Sequence, residues 1–295
     1  MSFVVVTDTS GNLQNQQVRE YDLKVIPFCY YINGEEHTCL DTDTFDGDAF
    51  YAIFKGDTKV TTSQINPQTY ADFFLPFLAE GKDIIYVSMS SGISGSCQSS
   101  MLGAEMALES YPDRKIEVID TLGASLGEGL VAIHAAELRD AGLETEEAAQ
   151  QLRALSERMF NVFTVDNLMF LRRGGRLSNL AAVVGTVLHI KPILKGAVDG
   201  KIVAFAKVRG RKRSIEALAS QYDKLVVAPE TQTVGIAHAA CRADAEYLVS
   251  LLKKNRPPKD ILLVDYEPVT GSHVGPGALA LFFESKPGVR KTDSL

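Results

Sequence analysis

No GxxxxGKS or GxxxxGKT segment occurs anywhere in the 295 residues, so the chain has no recognisable loop for the phosphates of ATP. No GxGxxG follows an apolar run either; Gly123, Gly127 and Gly129 have the wrong spacing for a dinucleotide fold. HExxH is absent. The four cysteines (Cys29, Cys39, Cys97, Cys241) are scattered, with no CxxC and no Cys/His ligand spacing. The residues therefore predict no metal and no cofactor, and reduced thiols in a cytoplasm. No apolar run approaches the roughly 20 residues that span a bilayer. The first residues, MSFVVVTD, have neither the basic stretch nor the long apolar core of a signal peptide. A cytoplasmic protein is expected. A basic excess is missing too: the net charge of −7 argues against a protein that coats nucleic acid or an anionic membrane.

What is present suits a globular protein. Hydrophobic residues make up 45% and charged residues 23%, enough to bury a full core without disulfides. Residues 2–7 (SFVVVT), 84–89 (IIYVSM) and 115–120 (KIEVID) are short apolar runs that read as buried strands. Between them lie helical stretches. Asn66-Pro67 starts one that runs to about Ala79, since Asn caps a helix and Pro suits its first turn. Another runs through about Arg139, and Thr44 to Phe54 also has helical spacing. Asn33-Gly34, between FCYYI and EEHT, predicts a hairpin. Strands alternating with helices imply a parallel sheet. Residues 143–159 form a charged amphipathic helix that joins two halves. Beyond it the pattern changes: strands at 161–166, 234–238 and 261–266, helices near 178–187 and 242–254, a hairpin at Asp199-Gly200, and a loose polar tail from Lys286. The expectation is an α/β protein of two domains. Residues 1–155 form an N-terminal α/β domain with a parallel sheet; residues 156–295 form a C-terminal α+β domain with a mixed sheet.

Four segments could carry chemistry. Thr61-Thr62-Ser63-Gln64 places hydroxyls just before a capped helix, where an anion can be held, or is an ordinary capping loop. The serine/glycine run Ser88–Ser96 follows a buried strand, where open α/β sheets place ligands. Arg172-Arg173-Gly174-Gly175-Arg176 can bind a carboxylate or phosphate, or is a solvated turn. Lys207, Arg209, Arg211, Lys212 and Arg213 form a basic cluster that, in an acidic chain without interleaved aromatics, fits an anionic ligand or a phosphate-carrying partner better than nucleic acid. His273, in Gly271–Gly277, reads as a histidine in a glycine-rich loop before a helix, able to donate to an anion or act as a base.

These segments, in this order, resemble the DegV family of bacterial lipid-binding proteins. The matching stretches are TSQ at 62–64, SSGISGS at 90–96, DTLGASLGEG at 120–129, RRGGRLS at 172–178 with IKPIL at 190–194, and HVGPGALAL at 273–281. The resemblance implies a protein that buries a long-chain fatty acid between its two domains. By the family's pattern Thr62 and Ser94 hydrogen-bond the carboxylate and the backbone of Gly95 lies close. Arg173, Arg209 and His273 fall near the head group or serve partner docking. The implied role is non-catalytic. The chain would present the fatty acid to a separate ATP-binding subunit of a fatty acid kinase, giving acyl phosphate for phospholipid synthesis, with transient membrane contact allowed. The chain departs from the family in reading Ile65-Asn66-Pro67 after Gln64 and Ser96 where threonine is common.

One alternative from the residues alone stays open. Gly92-Ile93-Ser94-Gly95-Ser96 is one residue short of GxSxG, and Asp265 and His273 follow in the order of an esterase triad with Ser94 as nucleophile.

Overall fold

A computed structural model describes residues 3–56, 58–177 and 190–291. The chain divides into two compact units: Met1–Phe45 with Lys59–Ser156, and Asp46–Thr58 with Glu157–Leu295.

In chain order the first unit holds β1 (Phe3–Asp8), α1 (Asn15–Glu20), β2 (Lys24–Ile26), β3 (Cys29–Ile32) and β4 (Glu35–Thr38). The second unit contributes α2 (Gly47–Ala52), and the first resumes with β5 (Val60–Thr62), α3 (Pro67–Ala79), β6 (Asp83–Ser88), α4 (Ser96–Leu108), β7 (Ile116–Asp120), α5 (Leu126–Asp140) and α6 (Thr145–Arg158). Strands β2-β1-β6-β7 form a wholly parallel sheet. All residues of β1 and β6 are buried, as a parallel sheet covered on both faces requires. The side chain of Asn66 accepts from the Thr69 amide at 3.0 Å and Pro67 occupies the first turn, so α3 begins and ends where its sequence predicts. Helices α3 and α4 meet closely at Gly103, where a Cβ would lie 2.6 Å from the Pro67 carbonyl. Strands β3 and β4 pair antiparallel across Asn33 and Gly34, whose φ values of 52° and 93° are those of a type I′ turn. Strand β5 adds to the other edge of β3 and sets Thr62 opposite Tyr30.

The second unit continues with β8 (Met159–Thr164), α7 (Met169–Arg173), β9 (Ile190–Gly196), β10 (Ile202–Arg209), α8 (Arg211–Leu225), β11 (Thr233–His238), α9 (Arg242–Asn255), β12 (Asp260–Asp265), α10 (Pro268–Val274) and β13 (Leu279–Glu284). Its sheet runs β10-β9-β8-β13-β11-β12; only β11 and β12 are parallel. The mixed sheet expected of the C-terminal half is there. Its core sets Phe160 edge-to-face against Phe283 (centroids 5.6 Å apart) and Tyr222 edge-to-face against Phe283 (5.2 Å). Upstream α2 is tied into this unit: the Tyr51 hydroxyl donates to the Tyr266 carbonyl at 2.8 Å, and Gly47 abuts Asp265.

Three sequence expectations change. Gly271–Gly277 is not a loop before a helix: His273 lies on α10, and a strand, β13, follows. The tail is not loose as far as Lys291. Val289–Lys291 forms a 3-10 turn, and the buried guanidinium of Arg290 donates to the Met159 carbonyl. The basic cluster is partly engaged within the unit, with Arg211 Nε 2.8 Å from Asp244 and Lys212 over the Tyr247 ring. The helix expected near 178–187 lies outside the described residues.

Candidate functional site

The loop that follows β6 is built by its own backbone. The amides of Ile93 and Ser94 both donate to the Ser90 carbonyl at 3.2 Å, and the Gly92 amide donates to Ser90 Oγ at 3.1 Å. The loop after β7 braces it: the Ser90 amide donates to the Gly123 carbonyl at 2.7 Å, and Asp120 accepts from the Ser91 amide at 3.2 Å. The chain then enters α4 at Ser96. Ser94 Oγ donates to Ser96 Oγ at 3.1 Å and accepts from the Ser96 amide at 3.2 Å. Ser96 is buried, Ser94 half-buried and Gly95 exposed, so the hydroxyl of Ser94 stands at the boundary between core and solvent. It lies two residues ahead of a 13-residue helix, whose leading N–H groups favour an anion.

The threonine/serine segment comes to the same place. The Ile65 amide donates to Ser96 Oγ at 3.3 Å, and a Cβ on Gly95 would run into Gln64 Oε1. The first two motifs, far apart in sequence, thus pack against each other within one unit.

Beneath them lies a group that the sequence reading missed. Asp8 and Glu128 are buried side by side. Asp8 accepts from the Ser10 amide at 2.8 Å, from Tyr86 Oη at 2.6 Å and from Ser10 Oγ. Glu128 accepts from Ser10 Oγ at 2.8 Å and from Thr7 Oγ1 at 3.1 Å. The single hydroxyl proton of Ser10 therefore faces two carboxyl groups, and that of Thr7 faces both Glu128 and the Val87 carbonyl at 3.1 Å. Two ionised acids would leave acceptors without protons, so one acid must bring its own. Asp8 has more donors and is the ionised member; Glu128 is the protonated one. Burial and then the Asp8 charge hold Glu128 well above the usual carboxylate range. Burial raises Asp8 too, opposed by the hydrogen bonds from Ser10 and Tyr86.

An acid with a raised folded-state pKa keeps a proton that the unfolded chain releases. Its stabilisation is complete below the unfolded value near 4.5 and is lost as pH climbs through the folded value. Glu128→Gln preserves the shape and does not titrate. It is expected to stabilise the protein by about 1–3 kcal/mol at about pH 8, with little gain at about pH 4. Urea unfolding at the two pH values measures this, and an equal effect at both would show that Glu128 is ionised.

In the second unit the arginine/glycine turn meets the histidine motif. A Cβ on Gly174 would lie 2.5 Å from His273 Nδ1, and Gly275 (φ 75°) lies against the Phe170 ring. Burial, then Arg176, push His273 down to about 4, so its imidazole is neutral near pH 7. Arg173, at the end of α7, is exposed, as is Arg209, at the end of β10 opposite Ile190.

This geometry gives the esterase reading no support. Asp265 is claimed by a different histidine, with His238 Nδ1 3.1 Å from its Oδ1. Ser94 exchanges hydrogen bonds with Ser96. The GxSxG spacing itself is met elsewhere, at Gly123-Ala124-Ser125-Leu126-Gly127, where Ser125 has the strained backbone of a nucleophile elbow (φ 55°, ψ −141°). Its Oγ is nevertheless buried and accepts from Asn12 Nδ2 at 3.0 Å, which makes it a structural turn.

Comparison with known proteins agrees with the motif order. A family model described as "Uncharacterised protein, DegV family" matches residues 2–286. A DegV domain-containing protein of Clostridium perfringens is 36% identical over 281 residues, 95% of this chain and 97% of that one. Among solved structures, a fatty-acid-binding DegV family protein of Thermus thermophilus superposes with a TM-score of 0.87 at 26% identity, covering 97% of this chain and 100% of the other. A DegV family protein of Ruminococcus gnavus, solved with vaccenic acid, gives 0.85 at 25% identity, covering 96% and 99%. With the family model spanning nearly the whole sequence and a relative this similar end to end, the chain belongs to the DegV family.

Proposed function

We propose that this protein binds a long-chain fatty acid and holds its carboxylate on the hydroxyls of Thr62 and Ser94, with the backbone of Gly95 alongside. The observation that carries this is the half-buried Ser94 hydroxyl at the head of α4, packed against the Gln64 segment. The fatty-acid-binding relatives of matching fold support the ligand class. Each buried methylene contributes about 0.8 kcal/mol, so a long acyl chain supplies on the order of 10 kcal/mol before ordering costs. The head group must then be hydrogen-bonded, since burying it unpaired costs several kcal/mol. Neutral hydroxyls do this without cancelling the charge, which leaves a carboxylate oxygen nucleophilic toward a phosphoryl group.

The sequence contains no GxxxxGKS or GxxxxGKT segment. In this proposal the chain is the non-catalytic, fatty-acid-presenting partner of a separate ATP-binding kinase subunit in the cytoplasm. The product is an acyl phosphate for phospholipid synthesis. Arg173 and Arg209, both exposed, and His273 serve docking of that phosphate-carrying partner. Among the described residues no helix is long and apolar enough to cross a membrane. Exchange of lipid with a bilayer by transient contact is part of the same proposal.

Organic-solvent extraction of the purified protein followed by mass spectrometry is expected to yield a long-chain fatty acid. Adding an ATP-binding kinase subunit and trapping with hydroxylamine is expected to give the acyl hydroxamate. A protein that is empty and also takes up no fatty acid would sink the reading.

A further inference from the structure

Gly95 has no backbone reason to be glycine. Its φ of −73° and ψ of −5° lie in the right-handed helical region that any residue adopts. It stands at the head of α4 and makes no side-chain cap there, where serine or aspartate could make one. What requires the missing side chain is the space above it. The terminal amide of Gln64 fills that space: a Cβ on Gly95 would overlap Gln64 Oε1 and stand 3.2 Å from its Cδ and 3.7 Å from its Nε2. The three heavy atoms nearest to that position all belong to this one amide.

The segment that carries Gln64 is fixed on both sides of it. The Ser63 amide donates to the Cys29 carbonyl at 3.3 Å, which carries the pairing of β5 with β3 one residue past Thr62. In a chain paired in this way residues two apart face the same side, so Gln64 projects on the side of Thr62. Beyond Gln64, the Ile65 amide donates to Ser96 Oγ at 3.3 Å. Between these two anchors the exposed side chain of Gln64 lies across the backbone at Gly95, one residue from Ser94.

We infer that Gln64 is a further head-group contact, donating its Nε2–H to the fatty-acid carboxylate beside the hydroxyls of Thr62 and Ser94. This rests on the fatty-acid reading above and adds to it a residue that distinguishes a carboxylate from an ester.

The chemistry of the amide suits the task. An ionised carboxylate has about four lone-pair sites and no proton, while Thr62 and Ser94 bring one hydroxyl proton each. A glutamine amide brings two N–H donors. Its Oε1 is the atom nearest Gly95, and a half-turn about Cγ–Cδ, a torsion with only a broad preference, exchanges it for Nε2. The amide is uncharged, so like the hydroxyls it leaves the negative charge on the ligand. Being exposed and flexible, it adds to the two hydroxyls and does not replace them.

The test is displacement of a fluorescent fatty acid from the delipidated full-length protein by sodium oleate and by methyl oleate, with a thermal melt alongside. Gln64→Met keeps the length of the side chain but has no N–H. It is expected to weaken oleate about 10-fold, to leave methyl oleate within about twofold and to melt with the wild type. Gln64→Glu sets a second carboxylate against the ligand's and is expected to weaken oleate about 100-fold, again sparing methyl oleate. Gly95→Ala drives the amide from its seat while leaving Gln64 in the chain. It is expected to weaken oleate at least as much as Gln64→Met does, and adding Gln64→Met to it is expected to change nothing further. Oleate affinity of Gln64→Met equal to that of the wild type overturns the contact. So does an equal loss of oleate and methyl oleate, which a residue that only shapes the loop would give, and so does full additivity of Gly95→Ala and Gln64→Met. Each of these leaves the fatty-acid reading standing. A wild type that binds neither the fluorescent fatty acid nor oleate overturns that reading and the contact with it.

Discussion

Gly129→Val is expected to lower the melting temperature by roughly 10 °C or more and to send much of the expressed protein into the insoluble fraction. Gly129 lies in the first turn of α5, against the 3-10 turn Thr9–Gly11. A Cβ there would overlap the backbone carbonyl of Gly11 and lie 2.8 Å from Leu13 Cδ2. A carbonyl in a buried turn cannot rotate away as a side-chain end could, so α5 must move off the sheet. The same movement pulls Glu128 from Ser10 and Thr7 and leaves a buried acid without partners, which adds to the steric cost. The comparison that isolates packing is Gly142→Ala, just past the C-terminus of the same helix. There φ is 82° but nothing lies within 4 Å, and the cost is the backbone strain alone, about 1 kcal/mol. Thermal melts followed by circular dichroism separate the two. Equal, small shifts would show that the close approach at Gly129 carries no weight.

Much of the first unit is legible because its signals are local. A continuous apolar run such as Phe3–Thr7 has few alternatives to a buried strand. Asn66-Pro67 marks a helix start by capping chemistry, and Asn33-Gly34 a turn by its positive φ values. Strands β2 and β5 are not legible, since three residues carry no periodicity and become strands only through the edges they join. The inclusion of Asp46–Thr58 in the second unit is invisible for a related reason. It depends on Tyr51 reaching the Tyr266 carbonyl, 215 residues away. The apolar run in HVGPGALAL misled for another reason: it fits a buried strand or a buried helix equally well, and only pairing with β8 and β11 decides for the strand.

The site divides along the same line. Serines and glycines after a buried strand mark Ser94 as a candidate from sequence, because loops at strand ends are where parallel sheets bind ligands. The acids beneath it do not stand out. Asp8 reads as a loop residue after β1, and Glu128 as a charge in the first turn of a helix, where a solvated carboxylate is ordinary. Their burial follows from β1 and α5 being neighbours. What the sequence does contain, unread, is the hydroxyl company they keep, with Thr7 and Ser10 around Asp8.

Ser94→Ala is expected to weaken oleate binding about 10- to 100-fold and to abolish kinase-dependent formation of acyl phosphate, while the protein stays folded. A hydrogen bond to a charged group contributes about 1.5–3 kcal/mol, and the affinity loss is that energy expressed as a ratio. The effect on stability is smaller, because Ser94 is only half-buried and its inward bonds are one to Ser96 Oγ and one from the Ser96 amide. Loss of that amide's acceptor at the start of α4 costs roughly 1 kcal/mol, a shift of a few degrees in a protein this size. Thr62→Val removes the other proposed hydroxyl and should weaken binding in the same range, and the double variant should lose the head group altogether. Methyl oleate supplies the control: it carries the tail without the charge, so a variant damaged only in head-group recognition loses oleate affinity out of proportion to methyl oleate. The measurement is displacement of a fluorescent fatty acid by each ligand, with a thermal melt alongside. A Ser94→Ala protein that binds oleate as tightly as the wild type and still delivers it to the kinase would place the carboxylate on residues other than this loop.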